Sequence, residues 1–175
     1  MKAHVHRNTN GEKTGVMKKV LIVLMAVVVV SCSSLTSTEK AEQQQQMAQA
    51  VDNALAQRRY KVAIGMMYPR NGRAVQVSSL FSLEVKGDTL VSYLPYSGRA
   101  YNVPYGGGKG LDFTAPITEY HASKNKKGTT QVSMKVHNDE DYLSFSMEIY
   151  NNGNAYVNLI CREREAISYS GKLSF

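Results

Sequence analysis

Apolar residues recur every fourth position before residue 60 and every second position after it. Met47, Val51 and Leu55, flanked by Ala48, Ala50 and Ala54, predict a helix with one narrow apolar stripe. Thr36-Ser37-Thr38-Glu39 has the spacing of a capping box at its start. The four glutamines at 43–46 read as solvated spacer, and the helix is expected either to dock its stripe on the domain that follows, the favoured reading, or to lengthen the tether.

The two-residue period begins with Tyr60, Val62, Ile64, Met66 and Tyr68 and stops at Pro69. Phe81, Leu83 and Val85 alternate with polar residues, then Gly87-Asp88 turns the chain into Leu90, Ser92 and Leu94. A two-residue loop there sets Val85 opposite Leu90 and Phe81 opposite Leu94.

Apolar faces must match across each strand pair, which fixes the register of the second half. A two- or four-residue loop after Ile149 would oppose it to Tyr156. The three-residue loop Asn151-Asn152-Gly153 instead pairs Ile149 with Ala155 and Phe145 with Leu159, and places glycine at the left-handed position. Lys126-Lys127-Gly128 does the same one hairpin earlier, pairing Tyr120 with Met134, Ala122 with Val132 and Glu119 with Lys135. An Asp139-Glu140 turn matches Val136 with Leu143 and Met134 with Phe145. Residues 117–162 therefore read as a four-stranded antiparallel meander, and 167–175 as one further strand. The fold class is mostly β (α+β): a single antiparallel sheet domain of eight or nine strands, a curled sheet or a sandwich, with one N-terminal helix.

The chain before this domain reads as a leader. Met17-Lys18-Lys19 precedes eleven apolar residues at 20–30, long enough for a signal-peptide core and short of the about 20 that a spanning helix needs. Val29-Val30-Ser31-Cys32 resembles a bacterial lipobox, with Cys32 as the site of lipid attachment and acylated N-terminus. Residues 17–31 are thus a lipoprotein signal peptide, 1–16 an over-extended start, 32–59 an acylated tether with the helix, and 60–175 the β domain. The acyl chains imply a membrane partner. With no Asp beside Cys32 and no acidic cluster after it, the expected address is the outer membrane, facing the periplasm.

Charge changes little. The formal charge of +7 includes five Lys/Arg and one Glu in the leader, leaving 16 basic and 13 acidic residues. That balance does not suggest a nucleic-acid partner. Cys161 is the only thiol after Cys32 and reads as a buried small hydrophobe within an alternating run.

Candidate chemistry is sparse. His121 and His137 fall on the outward face, opposite Ser133 and Ile117, and read as solvated; no metal site is expected. Residues 138–141 (NDED) lack the glycine and distal glutamate of a calcium loop. Arg162-Glu163-Arg164-Glu165 alternates in sign and reads as a solvated connection. Gly106-Gly107-Gly108-Lys109-Gly110 is no phosphate loop, because Val103 and Gly110 occupy the positions of its first glycine and its Ser/Thr. Leu111 likewise stands where a dinucleotide fingerprint needs its last glycine. No Gly-x-Ser-x-Gly motif occurs, so no catalytic residue and no cofactor is expected.

The segment YLPYSGRAYNVPYGGGKG at 93–110 concentrates four tyrosines, two prolines and a run of glycines. Tyr96, Arg99, Tyr101, Tyr105 and Lys109 form a candidate binding loop, since tyrosines give wide amphipathic contact and glycines admit close approach. The alternative is that the loop only closes an open end of the sheet.

Around Leu83 to Phe113, SLEVKGDTLVSYLPYSGRAYNVPYGGGKGLDFTAPI, with the later NDEDYLSFSMEIYNNGNAYVNL and ISYSGKL, resembles domain of unknown function 4251. This uncharacterised lipoprotein family is typical of Bacteroidetes, and the likeness spans about 40–175. The resemblance implies secretion and lipidation; it supplies no activity, ligand or catalytic residue. The expected function is a non-enzymatic envelope lipoprotein that binds a ligand or partner, an envelope protein or a glycan. An inhibitor of an envelope hydrolase is the alternative, and a hydrolase the lesser one.

Overall fold

Two-residue periodicity sustained over strands joined by tight loops builds a meander, and here the meander curls until its edges meet. The computed structural model describes residues 37–102 and 108–175. Cys32, the leader, Thr36 of the capping box, and Tyr105 with Gly106 and Gly107 lie outside the described residues.

One helix, α1 (Ser37–Ala56), precedes nine strands. These are β1 (Arg59–Pro69), β2 (Val75–Gln76), β3 (Ser82–Lys86), β4 (Thr89–Leu94), β5 (Leu111–Lys124), β6 (Thr130–His137), β7 (Tyr142–Ile149), β8 (Asn154–Cys161) and β9 (Ile167–Ser174). Each strand from β3 to β8 pairs antiparallel with the next, β3 pairs with β1, and β9 returns to β1. Eight strands thus close a barrel, and β2 hangs on the outside of β1. Closure leaves the sheet only short edges. The curled-sheet expectation holds, carried to completion.

The register expected from the apolar faces is the register found. Ile149 pairs with Ala155 and Phe145 with Leu159; Tyr120 pairs with Met134 and Ala122 with Val132. Val136 pairs with Leu143, and Val85 with Leu90. Gly128 and Gly153 sit at φ 83° and 79°, the left-handed position that the two three-residue loops require. Inward side chains from every barrel strand pack the interior, among them Ile64, Leu90, Phe145, Met147, Leu159 and Tyr169.

Three expectations need correction. A bulge between Ile64 and Met66 turns β1 over, so Met67 is buried in place of Met66 and Tyr68 faces solvent. A second bulge at Thr118 sets Ile117 opposite Val136; His137 faces Tyr142 and not Ile117. There the Thr118 hydroxyl donates to the Lys135 carbonyl at 3.0 Å, an outlet the bulge opens. Phe81 stands just before β3, half-buried, and stacks on Tyr93 at 5.0 Å between centroids, while Leu94 pairs with Leu111. The meander also starts earlier than 117, since β5 runs from Leu111.

The helix docks, by a shorter stripe than its spacing suggests. Val51, Ala54 and Leu55 join the core, whereas Met47 stays exposed. Asp52 holds Lys124 at 2.7 Å, which fixes α1 to the end of β5. Arg58 then turns the chain at φ 50°, pairs with Asp88 at 2.8 Å and lies over the Tyr120 ring at 4.5 Å. The barrel therefore has a helix end, with the loops at 87–88, 125–129 and 150–153. Its far end carries residues 95–102 and 108–110 and the loops at 138–141 and 162–166.

Candidate functional site

The described part of the tyrosine-glycine segment, 95–102 and 108–110, lies at the far end after β4 and before β5, and the 162–166 connection holds residues 99–102 by their backbone. Ala100 bridges Arg164 in antiparallel fashion. The Tyr101 amide donates to the Glu163 carbonyl at 2.7 Å, and the Glu165 amide to the Arg99 carbonyl at 2.9 Å. The Glu165 carboxylate accepts from the Arg99 amide at 3.1 Å, and the Glu140 carboxylate from the Lys109 amide at 2.8 Å. At the start of the loop the Tyr169 hydroxyl, rising from the barrel interior, donates to the Pro95 carbonyl at 2.7 Å. Backbone contacts of this kind order a loop without using its side chains.

The five loop residues are therefore used differently. Tyr96 is half-buried against the core and its hydroxyl donates to the Arg99 and Glu165 carbonyls, so it closes the barrel end. Burial pushes its phenol above the ordinary value. Arg99 and Lys109 are exposed and engaged through their amides. Tyr101 is 64 % exposed on a pinned backbone. Tyr105 lies outside the described residues.

Beneath the loop lies a constellation that the sequence concealed. Arg164 is 7 % exposed and Asp141 2 %. Arg164 Nε sits 3.3 Å from Asp141 Oδ2 and its Nη2 3.3 Å from Glu140 Oε2, with the guanidinium 5.6 Å from the Tyr96 ring centroid. Asp141 Oδ1 accepts the amides of Arg162 and Glu163 at 2.9 and 3.0 Å. The expectation of a wholly solvated 162–165 connection fails because Asp141, brought beside it by the β7–β8 hairpin, supplies a buried counter-charge. The sign alternation gave no hint of this; the only sequence clue was that Asp141 falls two residues before Leu143, in phase with the inward face.

On the outer wall next to this connection, a groove of about 420 Å³ is lined by Lys135, His137, Tyr142, Ser144, Ile160 and Arg162, with Glu119 at its edge. His137 and Tyr142 rings lie 4.0 Å apart, and Arg162 covers Tyr142 at 5.4 Å. Tyr142 is 57 % and Ile160 55 % exposed, large apolar residues at outward strand positions. Their register was readable; their exposure beside Arg162 depended on knowing that the barrel closes.

Cys161 is buried as expected. Burial first, then the Asp141 carboxylate, push its thiol up to about 12, opposed by Arg164. Among the described residues, no cluster of three His, Cys, Asp or Glu is placed to hold a metal ion.

Comparison with known proteins agrees with this fold. A crystal structure of a DUF4251 family protein from Bacteroides eggerthii DSM 20697 is similar at a TM-score of 0.56 and 19 % identity, covering 73 % of this chain and 86 % of that one. No curated protein matches. The family model for a domain of unknown function, DUF4251, matches residues 42–173, from within α1 to the penultimate residue of β9. The chain therefore belongs to the DUF4251 family.

Proposed function

We propose that this barrel is a non-enzymatic recognition module of an envelope lipoprotein. Acyl chains on Cys32 hold it to the outer membrane, facing the periplasm, and its far end binds an envelope protein or glycan. The observation that carries the reading is Tyr101, an exposed aromatic whose own amide is held by the Glu163 carbonyl, two residues after Arg99, whose carbonyl accepts the Glu165 amide. A large side chain held out by an ordered loop loses little entropy on binding, which is how rigid aromatic anchors act in recognition surfaces. Arg99 beside it, and Tyr142 and Arg162 on the adjoining wall, extend the same mixed aromatic and cationic surface.

Two experiments test the two halves separately. Cys32→Ala abolishes acyl labelling and membrane retention; persistent retention in the unlabelled variant overturns the lipoprotein half. Tyr101→Ala, in otherwise unchanged protein, weakens capture of the partner from solubilised envelope. A captured hydrolase inhibited by the barrel identifies the partner as an enzyme and this protein as its inhibitor.

A further inference from the structure

The net charge of the domain is concentrated at one end of the barrel. The half nearest the helix comprises residues 52–63, 84–90, 122–132, 147–157 and 171–175. It holds eight Lys/Arg against four Asp/Glu, whereas the other half, residues 64–83, 91–102, 108–121, 133–146 and 158–170, holds seven of each. Two of the four acids at the helix end are spent holding Arg58 and Lys124. Glu84 reaches Lys86 at 3.2 Å. Arg59 stands directly opposite Lys86 on the outer face of the β1–β3 pair, with Lys61 one outward position on, opposite Glu84. Like charges opposed across strands are unfavourable for the fold, so their presence calls for a use outside it. They line a groove of about 520 Å³ at the barrel rim, with the exposed Phe175 beside them. Lys126 and Lys127 project from the hairpin loop of the same end, both exposed.

We propose that this end is a docking face for an anionic membrane surface. Arg59, Lys61 and Lys86 would seat phosphate headgroups in the groove, and Lys126 and Lys127 would contact the same plane. Two observations select this occupant. The charge is complementary to anionic lipid, which draws Lys and Arg to within a Debye length of the surface. The chain also enters the barrel at this same end, through α1, with 36 residues preceding the helix. The inference rests on the lipoprotein reading only for delivery to the membrane; the charge and the groove are present without the acyl group. It leaves the far end, with Tyr101, facing away from the lipid.

The test uses the full chain carrying Cys32→Ala, so that acylation plays no part. Its partition is measured by co-sedimentation with vesicles of phosphatidylcholine alone and of phosphatidylcholine with phosphatidylglycerol. The leader, with five Lys/Arg, adds the same anionic preference to the parent and to every variant, so the test is read from the change in this ratio between them. Expected is a preference for the anionic vesicles that falls with salt and drops about fivefold for each of Arg59→Gln, Lys61→Gln and Lys86→Gln. Arg99→Gln with Lys109→Gln, at the far end, leaves the ratio unchanged. Equal partition into both vesicles, or a triple variant that partitions like the parent, overturns the proposal. Competition by inorganic phosphate beyond that of chloride at equal ionic strength also overturns it, in favour of a pocket for a soluble anion.

Discussion

Replacing Asp141 with alanine removes the keystone of the far end. Arg164 would then be buried with only Glu140 as partner, and the amides of Arg162 and Glu163 would lose their shared acceptor. Removing one partner of a buried ion pair costs about 3–5 kcal/mol. Glu140 keeps part of the compensation, which points to the lower end of that range, and the two orphaned amides add about 1 kcal/mol each. The expected loss is about 3–5 kcal/mol, a large share of the about 5–15 kcal/mol that keeps a domain folded. Urea denaturation followed by far-UV circular dichroism, or by the emission of the eleven tyrosines in this tryptophan-free chain, measures it. With a slope of about 1–3 kcal/mol per molar, the midpoint falls by roughly 1–5 M. Arg164→Met costs less, because Asp141 keeps both amide donors. The double variant costs less than the sum by at least about 1 kcal/mol. A loss under about 1 kcal/mol for Asp141→Ala, or strict additivity, would show that the buried pair does not hold the loop end together.

Other consequences follow from single contacts. Tyr169→Phe removes the donor to the Pro95 carbonyl. It costs about 1–2 kcal/mol and speeds amide exchange at Tyr101, read by hydrogen exchange; unchanged exchange would mean that this bond does not order the loop. Gly171→Ala drives a methyl group into the Ala63 carbonyl where β9 closes the barrel on β1, so the melting temperature falls by several degrees or more. Cys161 resists alkylation at neutral pH and reacts fully on unfolding. Burial raises the pKa of Cys161, Tyr60 and Tyr169 alike, so the folded state holds these protons more tightly than the unfolded one. Stability from these groups is complete below about pH 9 and declines as pH rises through 9–12, a slope that chemical denaturation at graded pH would register.

The hairpins were legible because three independent constraints agreed on one register: the two-residue period, the matching of apolar faces, and glycine at the left-handed loop positions 128 and 153. Reading failed where the backbone slips a residue. The bulges at Gly65 and Thr118 change which side chains face inward without altering the composition of the strand, so Met66 and Met67 looked equally eligible. Barrel closure rests on β1 meeting β9, a pairing of segments about a hundred residues apart that no local pattern announces. The site was the least legible part. Tyr96 and Tyr101 carry the same side chain, yet one closes the barrel and the other faces solvent. The difference lies in backbone bonds to Glu163 and Glu165, some 65 residues away. Arg164 looked solvated because its partner, Asp141, lies 23 residues earlier.

The central claim is that the far end recognises a partner and does more than close the barrel. It is tested most directly by capturing envelope components with the parent and with Tyr101→Ala, side by side, on protein of verified melting temperature. Tyr101 makes its fold contacts through its amide, so the variant is expected to melt within about a degree or two of the parent and to lose most of the specifically captured material. Undiminished capture, above all with a lowered melting temperature, would contradict the account and leave the tyrosine loop as a closure for the barrel.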